Sequence, residues 1–134
     1  MNLNPWSVAL GVLVTGALSY YAVTPLVKFV RDQAIRDQAQ GQPETASLTV
    51  RQPTYGGDIL GRLECAIFFA SFIWAGAIAL APAWLVFKTA AKWKTWDTSN
   101  VNAAEIPVMY RMFLIGTAAN IVAALIGAAI AYLP

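Results

Sequence analysis

The chain has 134 residues, 58% of them hydrophobic and only 12% charged, with a mean hydropathy of +0.56. A soluble domain carries roughly 25% charged residues to keep its surface wet, so this composition argues against an ordinary soluble fold and for a chain dissolved in lipid. A net charge of +2 is too small to support a nucleic-acid partner, which dense positive charge must hold.

The charges are confined to 28–64 and 88–111, leaving the first 27 and last 23 residues without any. Long uncharged runs between charged patches are what membrane crossing produces. There is no histidine, which disfavours zinc sites, the common form of haem ligation and imidazole acid–base chemistry together. The single cysteine, Cys65, rules out an intrachain disulfide and reads as a small apolar side chain.

The first apolar span covers 5–27. Pro5 suits a first helical turn, where its missing N–H has no partner to lose, and Trp6 stands where an interfacial anchor belongs. About twenty residues at 1.5 Å each suffice to cross a hydrocarbon core of about 30 Å. The span has no basic leader and no small-x-small cleavage site before the charges, so it is expected to be retained rather than cleaved. Pro25, near its end, is a candidate kink. The helical pattern then continues through 28–39 as a polar extension, with Asp32 and Arg36 at i,i+4 spacing. Residues 41–58 read as a polar loop with a short extended piece at Ser47–Arg51.

Asp58 is expected to cap a second span over about 60–87. Gly76 and Pro82 interrupt its later half. The run is short for a hairpin that crosses twice. One tilted crossing from Leu63 to Ala81 is therefore preferred, with Pro82 opening an amphipathic segment over 82–97. There Trp84, Trp93 and Trp96 mix with Lys88, Lys92 and Lys94 as residues do at headgroup level. Asn102 and Glu105 have capping-box spacing before the third span, 106–133. Three full crossings put two basic connections on opposite sides, which leaves the orientation undecided; a hairpin bent at Gly76–Pro82 puts both on one side.

Each span carries small residues at four-residue spacing: Gly11, Thr15 and Ser19 in the first, Ser71, Ala75 and Ala79 in the second, and Ala123 and Gly127 in the third. Such rows let helix backbones meet closely in lipid, where the hydrophobic drive is absent. Asn120 shares a face with Gly116, Ala123 and Gly127, and a mid-bilayer amide should meet another helix rather than lipid. Glu64, Arg111 and Asn120 are the candidates for an intramembrane polar or ion contact, with Arg111 a tempting partner for Glu64. No phosphate loop, dinucleotide fingerprint or nucleophile–base pair occurs.

These features define an all-α, polytopic helical membrane protein: one transmembrane domain of three helices, with a polar helical extension after the first and an interfacial amphipathic segment after the second. The expected role is a non-catalytic accessory or structural subunit of a larger membrane complex, without catalytic residues, metal or cofactor. Its expected partners are the lipid bilayer and other membrane subunits or copies of itself, in a bacterial inner or organellar membrane. In size and span count the chain also resembles the phage holins, which implies the alternative of a homo-oligomeric pore or small transporter. Glu64, Asn120 and Arg111 would then line the path.

Overall fold

A computed structural model describes the backbone of residues 4–41, 56–98 and 106–133, and the side chains of 4–37, 60–91 and 109–133. Residues 42–55 of the polar loop expected over 41–58, the connection over 99–105 with its Asn102–Glu105 box, and the side chains of Trp93 and Trp96 lie outside the described residues; the expected cap at Asp58 is corrected, because the helix already begins at Gly56 and takes in the loop's last three residues. All described secondary structure is helical.

Helix α1 (Pro5–Leu18) opens with Pro5 in its first turn and with the Asn4 side chain accepting from the Trp6 amide at 3.0 Å, which satisfies one of the orphan donors of a helix start. It runs through a π turn, Ser19–Val23, into α2 (Thr24–Gly41). The wide turn has two local causes. Pro25 has no N–H to offer the Tyr21 carbonyl, and the Thr24 amide reaches back to Ser19 O while its hydroxyl donates there at 3.2 Å. A row of residues spaced by four also drifts about 40° per step on a regular helix. A wider turn takes up that drift, so Gly11, Thr15, Ser19 and Val23 all stay buried.

Helix α3 (Gly56–Ile73) ends at Trp74, whose backbone is extended (φ −123°, ψ 108°), and a short 3-10 turn (Ala75–Ala77) leads into α4 (Leu80–Thr98). Pro82 falls in the first turn of α4, where no intrahelical N–H is missed. The single tilted crossing expected over Leu63–Ala81 is therefore corrected. Pro82 cannot donate to Ile78 O and Trp74 leaves helical geometry, so the segment folds into a hairpin and α4 returns alongside α3. The row Ser71, Ala75, Ala79 is not one helix face either: Ser71 is buried on α3, while Ala75 and Ala79 lie exposed around the tip.

Helix α5 (Ile106–Ala131) is antiparallel to α1 and parallel to α3. Ser7 Oγ donates to Leu133 O at 3.0 Å at one end, and Gly116 faces Val27 towards the other. Along α3, Cys65 meets Asn120 and the Tyr132 hydroxyl donates to Phe72 O at 3.1 Å. One end of the bundle thus gathers Asn4, the hairpin tip and Leu133. The described charged residues of α2, α3, α4 and α5 lie towards the other.

Where α1 crosses α5, the backbones touch. A Cβ at Gly11 would stand 2.5 Å from Gly127 O, and one at Gly127 would stand 2.6 Å from Gly11 O and collide with Thr15 Oγ1. Only glycine allows this approach. The core that follows is built on Phe68 and Phe69 against Ala124, Ala128 and Ala131, large rings on one helix filling the space that small residues leave on the next. The ribbon hydroxyls bond within their own helices: Thr15 donates to Gly11 O and Ser71 to Ile67 O, each at 2.8 Å.

Among the described residues, two helices are long and apolar enough to cross a membrane, within Pro5–Asp37 and Met109–Ala131; Ala75–Ala91 is a shorter apolar helix.

Candidate functional site

Glu64 and Cys65 on α3, Lys88 on α4, and Thr117 and Asn120 on α5 form a polar cluster inside the bundle. Glu64 and Lys88 sit at matching heights on the two arms of the hairpin. Thr117 and Asn120 are three residues apart and so share one face of α5. Lys88 Nζ donates to Glu64 Oε1 at 2.7 Å, to Oε2 at 2.6 Å and to Thr117 Oγ1 at 2.7 Å. Asn120 Nδ2 donates to Glu64 Oε2 at 3.0 Å, and its Oδ1 accepts from the Cys65 thiol at 3.1 Å. The ammonium also stands 4.8 Å from the Phe113 ring centroid, a favourable cation–π distance. Glu64 is 1% exposed and the Lys88 side chain 11%.

The inventory closes. All three ammonium protons have oxygen acceptors, and both carboxylate oxygens have donors. A buried pair tolerates desolvation only under such conditions, and its geometry then fixes which elements lie together. This arrangement ties α4 to α3 and both to α5 through three helices' side chains.

The structure brings Glu64 and Asn120 together and leaves Arg111 apart: Arg111 is exposed, whereas Asn120 is buried. Glu64 pairs with Lys88, not with Arg111. Lys88 was expected among headgroup-level lysines, because a continuous helix would hold it about 36 Å from Glu64. Once the chain reverses at Trp74, it lands on the carboxylate. Thr117 carried no signal beyond its three-residue spacing from Asn120. Of the helix-packing candidates, Gly11, Thr15, Ser19, Ser71, Ala123 and Gly127 are buried, and Gly116 is half-buried. Trp6 is 82% exposed, as an anchor would be, while Trp84 turns inward against the Phe68–Phe69 core. Among the described residues, no three His, Cys, Asp or Glu side chains gather as a metal site would need.

No protein family, curated protein or solved structure matches this chain.

Proposed function

We propose that this chain is a non-catalytic integral membrane protein acting as a structural subunit of a larger membrane assembly. The observation that carries this reading is the closed Glu64–Lys88–Thr117–Asn120 cluster. The polar groups that would otherwise line a path or perform chemistry are occupied in holding the helices to one another.

The surface supports a lipid or protein-in-lipid environment. Trp6, Leu13, Tyr21, Trp74, Ile78, Val86 and Phe87 are all exposed, large apolar side chains of the kind that lipid or a partner in lipid covers. Helices α1 and α5 cross the bilayer, and the α3–α4 hairpin enters from the charged end and turns at the level of Trp6 and Leu133. This arrangement puts both basic regions on one side, which the positive-inside rule identifies as cytoplasmic. The conflict between two basic connections and three crossings then disappears. The tip, with Trp74 at the same end of the bundle as Trp6 and Tyr132, forms an aromatic belt at the opposite interface.

The test is reconstitution. A structural subunit yields no ion conductance in liposomes and co-purifies in fixed stoichiometry with other membrane proteins in mild detergent. Conductance from the purified chain that changes with Glu64→Gln establishes the pore instead.

A further inference from the structure

Between α1 and α3, towards the charged end, the bundle opens outward into a groove of about 540 Å3 lined by Val12, Gly16, Tyr20, Arg62, Ala66 and Phe69, among others. It exists because the facing residues are small. A Cβ at Gly16 would meet nothing within 4 Å, and Ala66 offers only a methyl group opposite. The groove runs about 10–12 Å along the helices, from Arg62 and Tyr20 at its mouth to Val12 and Phe69 at its inner end. The Arg62 guanidinium rests 5.3 Å from the Tyr20 ring centroid. It makes no ion pair among the described residues, so a fixed positive charge stands at the head of an apolar trough.

We propose that this groove binds one anionic phospholipid, with an acyl chain in the trough and the phosphate on Arg62. The inference rests on the membrane reading above. Charge complementarity selects the occupant: a guanidinium offers paired donors to a phosphate oxygen pair, and its neighbouring tyrosine is a headgroup-level residue.

The test uses the whole chain in nanodiscs of equal parts phosphatidylglycerol and phosphatidylcholine, with the lipids retained on the released protein counted by native mass spectrometry. Wild type retains one phosphatidylglycerol in preference to phosphatidylcholine. Arg62→Gln lowers that preference about fivefold, the effect of one basic side chain at a membrane surface. Gly16→Leu fills the trough and removes retention of either lipid, while a melting temperature no lower than wild type reports an intact fold. Equal retention of the two lipids by wild type, unchanged retention in both variants, or a cross-link from Gly16→Cys to another protein chain overturns the proposal. Failure of the wild-type chain to enter nanodiscs overturns the membrane reading itself, and this site with it.

Discussion

Glu64 and Lys88 are 24 residues apart in the chain, yet the ammonium of Lys88 bridges both carboxylate oxygens of Glu64 at 2.6 and 2.7 Å. That contact is made only if the chain reverses between them. Its energetic consequence is asymmetric. Removing one partner strands a buried charge, whereas removing both replaces an ion pair by apolar packing. Lys88→Met should therefore destabilise the fold by about 3–5 kcal/mol, and the double variant Glu64→Gln/Lys88→Met by less than Lys88→Met alone. Unfolding titrations in detergent on the four members of the cycle measure this. Additive effects would mean that the pair does not couple the arms.

At the α1–α5 crossing, Gly127 lies against the Gly11 carbonyl and the Thr15 side chain. Gly127→Ala should cost about 1–3 kcal/mol through overpacking. Gly16→Ala on the open side of α1 meets no atom and should stabilise by about 0.5–1 kcal/mol through helix propensity. The two melting temperatures should move in opposite directions; a tolerated Gly127→Ala would mean that the helices do not touch there.

Asn120 holds two buried groups at once, Glu64 through Nδ2 and the Cys65 thiol through Oδ1. Asn120→Leu leaves the carboxylate one donor short and should cost about 1–3 kcal/mol. Cys65→Ser keeps a donor for Oδ1 and should cost less. Chemical unfolding of the two variants separates them, and equal losses would remove Asn120 from its central place in the cluster.

Topology follows from the hairpin. In a Cys65→Ser background, Asp37→Cys and Asp97→Cys should both react with an impermeant maleimide from the same side of the membrane, and Asn4→Cys from the other. Reaction of positions 37 and 97 from opposite sides would restore a single crossing between them.

Much of the architecture is legible in residue order alone. Pro5 and the uncharged runs mark the two long apolar helices, and the polar helical pattern over 28–39, with Asp32 and Arg36 at i,i+4 spacing, carries α2 beyond the first. Gly76 and Pro82 mark the break in the middle segment, but local chemistry does not say whether a break bends a helix or reverses it. That choice is decided by long-range pairing, which only the packed structure displays. The candidate site was half visible for the same reason. Glu64 and Asn120 stand out as polar residues in apolar surroundings, whereas Lys88, two residues from Val86 and beside Phe87, looks like any snorkelling lysine near an interface. The partial burial of Trp84 against the core is not legible in sequence because tryptophan near lysine has an ordinary interfacial reading.

The central claim is that the buried cluster is a clamp and not a working site. The decisive measurement is the native mass of the complexes recovered in mild detergent with the folded double variant Glu64→Gln/Lys88→Met. The same partners at the same stoichiometry as wild type are expected, because the outer surface is untouched, with no conductance from either chain. A double variant that remains folded but loses its partners, or a wild-type conductance that the double variant abolishes, would contradict it.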